Sequence, residues 1–387
     1  MGATEGRVYL DWNATAPLRP EARAAMLDAF GLVGNASSVH GEGRRARALI
    51  ETARHDVAAL VGAESAEVVF TSGGTEANVT ALAPIPDGRP TRLIVSAVEH
   101  PSVAAGGRFA AADVRTASVD GDGLVDLAAL AGLVDAAVRD GAMPLVALML
   151  ANNETGVVEP VAAAAGIVHA AGGLLHVDAV QAAGRIPVDI AALGADTLAL
   201  SAHKLGGPAG VGALVVREGR AVAPLVTGGG QEGRRRSGTE NLAGIAGFAA
   251  AARAARAGLP EMSQLGRIRD WLESALVPMC SNVVVFGGAA SRLPNTSAFA
   301  VPGVAAEMAL IALDLDGVAV SAGAACASGK VAASPVLAAM GVPPEVARCA
   351  LRVSLGWATG EAEVARFLAA YRKLIGRLGT AHVGRAA

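Results

Sequence analysis

Between residues 67 and 217 short apolar segments of strand character alternate with helical segments. Strand-like runs stand at 67–71, 92–97, 145–150, 174–178, 198–201 and 212–217, with helices expected after Gly74, Pro101 and Pro160. Strands joined by helical crossovers pair in parallel, so the pattern predicts an α/β fold on a mainly parallel sheet. Hydrophobic residues make up 52% of the chain and aromatics only 3%, so Ala, Val, Leu and Gly must fill the interior. The 387 residues exceed the usual single-domain range, which predicts one large domain and a smaller partner. An alanine-rich helix over 241–256 leads to a boundary near Gly258-Leu259-Pro260, and an α+β pattern follows it.

Charge and cysteine usage exclude several functions. A net charge of −3 predicts no nucleic-acid partner, and the clusters Arg44-Arg45-Ala46-Arg47 and Arg234-Arg235-Arg236 are too short for an extended basic face. The first cluster reads as a solvated helix face. Cys280, Cys326 and Cys349 form neither a CxxC pair nor a zinc-like spacing, which fits a reducing compartment. Residues 1–6 lack signal-peptide architecture, and no run reaches the roughly 18 apolar residues of a membrane span. A soluble cytoplasmic protein with no membrane partner is expected.

The chemistry gathers at the strand ends. The run 198–201 delivers Lys204 into a loop of small residues and glycines, Ser201-Ala202-His203-Lys204-Leu205-Gly206-Gly207. A lysine whose amine is partly desolvated can lose its proton near neutral pH and form a Schiff base with a carbonyl cofactor. Pyridoxal phosphate is the first candidate, because Asp178 closes the preceding strand, where a carboxylate suits a protonated pyridine nitrogen. Either residue alone reads as a turn cap or a solvated charge; the two in order favour a cofactor site. Thr71-Ser72-Gly73-Gly74-Thr75 runs from strand to helix and offers free backbone N–H groups to a phosphate. A threonine at an N-cap does the same job with no ligand, so this segment draws its weight from the lysine.

Further candidates follow the same geography. His100, after the strand 92–97, is placed to stack on a cofactor ring and move protons. Asn152 and Asn153 close the strand 145–150, where either amide can reach a ligand or simply build the turn to Gly156. The glycine-rich stretch 228–241, with Thr239 near its end, reads as a flexible loop able to supply a second phosphate contact. Arg352 lies mid-strand in an apolar run and needs a partner, for which the carboxylate of an amino-acid substrate is the natural choice. Cys326 sits among small residues in Ser321-Ala322-Gly323-Ala324-Ala325-Cys326-Ala327-Ser328, a setting for a nucleophile, whereas Cys280 and Cys349 adjoin apolar segments and read as buried.

Taken together, these segments resemble the NifS/IscS-like cysteine desulfurases, class V members of the fold type I pyridoxal-phosphate enzymes. The likeness spans nearly the whole chain, from Tyr9-Leu10-Asp11 and Asn35-Ala36-Ser37-Ser38 through Glu99-His100, Asn152-Asn153-Glu154, His176-Val177-Asp178, Ser201-Ala202-His203-Lys204 and Arg236-Ser237-Gly238-Thr239 to Arg352-Val353-Ser354. The resemblance implies a seven-stranded, mainly parallel sheet in a cofactor-binding domain, residues 1–258, whose N-terminal segment packs on a small domain, residues 259–387, that carries the Cys326 loop. It implies Lys204 as the Schiff-base lysine, Asp178 on the pyridine nitrogen, Gln181 on the phenolic oxygen and His100 on the ring. Phosphate contacts carry over to Gly74, Thr75, Ser201 and His203, with Thr239 supplied by the partner subunit of a homodimer. Asn153 and Arg352 hold cofactor and substrate, and Cys326 takes the sulfur of L-cysteine for delivery to an iron-sulfur scaffold or another acceptor protein. No resident metal is implied, although Cys326 can transiently ligate an iron-sulfur cluster shared with a scaffold. Ala322, Ala324 and Ala327 stand where the family loop often carries hydroxyls, which bears on loop positioning and not on the thiol. The rival activities are a selenocysteine lyase or another fold type I lyase or aminotransferase, which need Lys204 but not Cys326.

Overall fold

The computed structural model describes residues 6–85, 88–322 and 334–383. A first short strand, β1 (Val8–Tyr9), precedes the helices Pro20–Phe30 and Gly41–Leu60. Seven strands then build the main sheet: β2 (Val68–Thr71), β3 (Thr91–Ser96), β4 (Val114–Ala117), β5 (Met143–Met149), β6 (Leu174–Asp178), β7 (Thr197–Ser201) and β8 (Gly212–Val216), in the order β2-β8-β7-β6-β5-β3-β4. All pairings are parallel except those of β8, which runs antiparallel to both β2 and β7. The long helix Leu242–Ala257 packs against Pro20–Phe30 and Gly41–Leu60, burying a face of alanines and glycines together with Phe248.

The remaining strands are β9 (Val284–Val285), β10 (Thr296–Ala300), β11 (Val318–Ala319), β12 (Ser321–Ala322) and β13 (Ala350–Ser354). Four of them form an antiparallel sheet ordered β12-β13-β10-β9, while β11 pairs in parallel with β1. The apolar residues separate accordingly. One cluster lies under the main sheet, and another joins Val8 and Leu10 to the helices Met262–Leu276, Ala306–Leu315 and Glu361–Val383. Aromatics are concentrated in the second, where Phe299, Phe367 and Tyr371 meet with ring centroids 5.7–6.4 Å apart, a spacing that adds to plain area burial.

Four local readings of the sequence need correction. The edge strand β4 and the helix Leu127–Arg139 were not anticipated, and the helix after Pro101 is only Pro101–Ala104. Val114-Arg115-Thr116-Ala117 has no apolar run because an edge strand turns its middle residues to solvent. The stretch 317–321, which the sequence alone reads as one strand, is divided between two, because the chain leaves β1 and crosses to the antiparallel sheet at Val320.

Candidate functional site

The carboxyl ends of β5, β6 and β7 open into one cavity of about 340 Å³, within the usual range for small-molecule sites. Its walls include Lys204, Asp178, His100 and Arg352, together with Gly74, Thr75, Asn153, Gln181, Ser201 and His203. Of the twelve positions to which the resemblance gives roles, ten stand in this wall. Thr239 is exposed and does not line the cavity of its own chain. Cys326 lies outside the described residues.

Lys204 ends a single turn, Ala202–Lys204, that follows β7 directly. Its Nζ donates to the carbonyls of Asn13 at 2.6 Å and Ala14 at 2.7 Å. Burial, with Arg185 and Arg352 nearby, pushes the amine down to about 7, against the opposing pull of Asp11 and Asp178. Carbonyl acceptors can hold either an ammonium or an amine, so the group is not locked in its charged form as it would be beside a tight carboxylate. The turn continues through Gly206 at φ +83, where a Cβ would run into Trp357. His203 shares the low local tolerance for charge, pushed down to about 4 by burial and by Lys204 and Arg185.

Asp178 is held by two donors, the Val180 N–H on Oδ1 at 2.9 Å and the Asn78 amide on Oδ2 at 2.7 Å. The helix Gly74–Ala81 that supplies Asn78 begins at Gly73 without a side-chain cap, so its first N–H groups face the cavity uncommitted. A Cβ at Gly74 would meet the Val180 side chain at 2.9 Å, so this cradle is shaped for close backbone approach. Gln181 spends its Nε2 on the Asn13 carbonyl at 3.1 Å and its Oε1 on Arg185.

Arg352 reaches the cavity from β13, in the antiparallel sheet. The partner it needs comes partly from the chain itself: Asp11 Oδ1 at 2.7 Å and the Asn153 carbonyl at 2.9 Å. Its Nε, fully buried, has no hydrogen-bond partner. The two asparagines part company here. Asn152 is used up in the turn, donating to Val98 O and accepting from the Glu154 and Thr155 N–H groups, whereas Asn153 lines the cavity.

The glycine-rich stretch 228–241 is pinned rather than free. Glu232 is buried and accepts from both Arg54 nitrogens, at 2.6 and 2.9 Å, and from the Phe70 N–H at 2.8 Å. Arg236 pairs with Glu76 in the first turn of the helix Gly74–Ala81. Burial alone would raise the Glu76 carboxyl, but hydrogen bonds from Arg236 and Ser72 outweigh it and hold the group below its usual range. Cys280 and Cys349 are both 7% exposed, and burial pushes the Cys280 thiol up.

Sequence reasoning passed over Asn13, Ala14, Asn78, Ser102 and Glu154. Asn78 carried a signal, since a helix interior disfavours asparagine unless its amide has a fixed partner. Glu154 accepts from the Ser334 hydroxyl at 2.6 Å and burial pushes it up to about 7; its place in a turn gave no sign of this. Asn13 and Ala14 act through backbone carbonyls, which leave no trace in side-chain identity.

A mainly parallel sheet with a strand-end lysine and an aspartate on the adjoining strand defines a fold type I enzyme. The pattern of the family described as aminotransferase class-V matches residues 8–367. A cysteine desulfurase from Cereibacter sphaeroides is 42% identical over 96% of each chain, and the cysteine desulfurase IscS of Dictyoglomus turgidum is 39% identical over 96% of this chain and 95% of its own. The solved structure of a NifS-like protein from Rickettsia africae superposes with a TM-score of 0.86 at 34% identity, covering 95% of this chain and 99% of that one. The chain therefore belongs to the aminotransferase class-V family and, within it, to the NifS/IscS-like cysteine desulfurases. Among the described residues no helix is long and apolar enough to cross a membrane.

Proposed function

We propose that this chain takes sulfur from free L-cysteine, releasing L-alanine, and holds the sulfur on Cys326 as a persulfide before passing it to an acceptor protein. The observation that carries the reading is Lys204, an amine pushed down to about 7 in a cavity shared with Asp178, His100 and Arg352. The cavity also suits pyridoxal phosphate: an uncapped helix N-terminus whose Gly74 leaves no room for a side chain, a twice-bonded aspartate, and a lysine resting on carbonyls. Gly74, Thr75, Ser201 and His203 would hold its phosphate, Asp178 its ring nitrogen, Gln181 its phenolic oxygen, and Lys204 its aldehyde carbon. When bound, this group supplies an electron sink that lets bonds at the α- and β-carbons of an attached amino acid break.

The chain's own residues do the rest. Arg352, which lines the cavity, receives the substrate carboxylate, and Asn153 borders it. Lys204 is placed to carry the α-proton, and its low pKa lets the amine accept one near pH 7. His100 supplies a proton at the carbon side as the sulfur departs. The Cys326 sulfur forms a bond to the substrate sulfur as the C–S bond breaks, so that L-cysteine and an enzyme thiol become L-alanine and an enzyme persulfide, with no external oxidant.

The separation of the two apolar clusters supports a seam at residues 258–259. Residues 1–258 then hold the cofactor, and residues 259–387 bring Arg352 and Cys326. We extend the proposal to a homodimer in which the exposed Thr239 serves the partner's phosphate site, and to a cytoplasmic setting.

Mass spectrometry after incubation with L-cysteine tests the reading. One added, reductant-labile sulfur is expected on the peptide carrying Cys326, and borohydride should fix the cofactor to Lys204. Cys326→Ser should keep the cofactor and lose alanine release by several orders of magnitude. Sulfur found on the buried Cys280 or Cys349 instead, or a fully active serine variant, would overturn it in favour of a lyase or aminotransferase.

A further inference from the structure

Behind the cavity runs an unbroken chain of buried side chains that links Asp178 to His100. Asn78, 1% exposed on the helix Gly74–Ala81, is its centre. The Asn78 Nδ2 donates to Asp178 Oδ2 at 2.7 Å and to Ser102 Oγ at 2.8 Å, and its Oδ1 faces His176 Nε2 at 2.9 Å. His176 Nδ1 lies 2.8 Å from Thr197 Oγ1 on the neighbouring strand. On the other side, Ser102 Oγ lies 2.8 Å from His100 Nδ1, which also accepts from the Ser102 N–H at 3.2 Å.

The protons of this chain follow from counting donors. Asp178 Oδ2 accepts, so the amide of Asn78 must turn its NH₂ toward the carboxylate, and the second hydrogen of that NH₂ goes to Ser102 Oγ. A hydroxyl that accepts there has its one hydrogen left for His100 Nδ1. The Asn78 carbonyl in turn requires a donor, which places a proton on His176 Nε2 and makes its Nδ1 the acceptor for Thr197. Desolvation disfavours the charged form of both imidazoles. It pushes His176 down to about 3, and it lowers His100 with help from Lys204 against the opposing pull of Asp178.

We propose that Asn78 is a positioning residue which, through Ser102, fixes His100 as the tautomer protonated on Nε2, so that the ring enters catalysis as a proton donor. The inference rests on the reading of this cavity as the cofactor and substrate site. It adds to that reading a reason why His100 acts as an acid: its Nδ1 is occupied by two donors, and its one proton sits on the other nitrogen. One acceptor-only carboxylate thereby orients five side chains.

The test is nitrogen NMR on the full chain loaded with pyridoxal phosphate and labelled at its seven histidines, with His100→Gln identifying the His100 signals. The wild type should show a protonated Nε2 and an unprotonated, hydrogen-bonded Nδ1. In Asn78→Asp the Ser102 hydroxyl turns to the new acceptor, so the Nδ1 signal should move to that of a more weakly bonded nitrogen. Cofactor affinity, measured by titration of pyridoxal phosphate, should fall about tenfold or more because two buried acceptors then oppose each other. Ser102→Ala, which removes only the hydroxyl, should move the same Nδ1 signal and serves if the first variant does not fold. A wild-type proton on Nδ1, or an Nδ1 signal unmoved in both variants, would overturn the proposal whether or not the protein acts on cysteine. The expected tautomer in a protein that yields no alanine would leave the proposal standing and overturn the functional reading.

Discussion

Two arginines in this molecule are almost equally buried and differ in how completely they are satisfied. Arg54, inside the helix Gly41–Leu60, gives two hydrogen bonds to Glu232, one to the Val68 carbonyl and one to Glu51, and stands 5.0 Å over the ring of Phe70. Arg352 has one carboxylate oxygen, one carbonyl and an Nε with nothing. A buried cation costs several kcal/mol to desolvate, and only full pairing returns that cost. Arg54 has full pairing, and the pair holds Glu232 in place at φ +47, a conformation unfavourable for a side chain other than glycine. Its completeness leaves no capacity for a ligand. Arg352 retains that capacity beside Lys204, a second cation that rests on carbonyls and not on a carboxylate. Incomplete pairing of buried charge is thus what separates the site from the scaffold.

The largest effect should come from breaking the complete pair. Arg54→Met leaves Glu232 buried without its partner, and folding stability measured by urea denaturation should fall by about 3–5 kcal/mol. Arg352→Met should cost less stability, because Asp11 is partly exposed and can be hydrated. Its kcat/KM for L-cysteine should nevertheless fall by roughly two orders of magnitude or more, as expected for truncating one side of a charged contact. Equal loss of stability in the two variants would erase the distinction between a structural and a binding arginine.

The pH dependence of Lys204 sharpens the same contrast. Its folded pKa of about 7 lies below the ordinary value of 10.5, so between those limits the unfolded chain binds a proton that the folded chain does not. Stability of the cofactor-free protein should therefore rise with pH through this window, by at most about 1.4 kcal/mol per unit. Below pH 7 the full cost of the buried ammonium is present. Lys204→Met should remove this slope, which paired denaturation curves at pH 7 and pH 9 would reveal. An unchanged slope would mean that the amine is as easily protonated in the fold as in water.

This contrast also marks what the sequence could and could not disclose. Arg352 was legible because it interrupts an apolar strand, and Lys204 and Asp178 because each stands where an apolar strand ends, places where a charge needs a reason. The parallel sheet was legible from its apolar runs, and its edge strand β4 was missed because it has none. The glycines of 228–241 suggested flexibility, and what overrides them is a long-range pair, Glu232 with Arg54, separated by 178 positions. Local composition carries no information about such a partner. Asn78 was visible as an oddity in a helix, but its three-way role depends on strands and turns that only the fold brings together.

The smallest effect is expected on the same helix as Arg54, one face away. Arg45 pairs with Glu42 at 3.1 Å, with the side chains 67% and 49% exposed. Water competes for both groups, and holding two long side chains in one geometry costs entropy, so an exposed pair of this kind contributes about 0–1 kcal/mol. Arg45→Ala should shift stability by no more than about 0.5 kcal/mol, near the low end because alanine is itself a strong helix former. Raising salt should shrink even that difference, since exposed charges are screened over about 10 Å at 0.1 M ionic strength, whereas the cost of Arg54→Met should persist. A loss of 2 kcal/mol or more at Arg45, insensitive to salt, would show that burial and completeness of pairing are not what distinguish the arginines of this chain, and the assignment of Arg352 as a binding group would lose its physical basis.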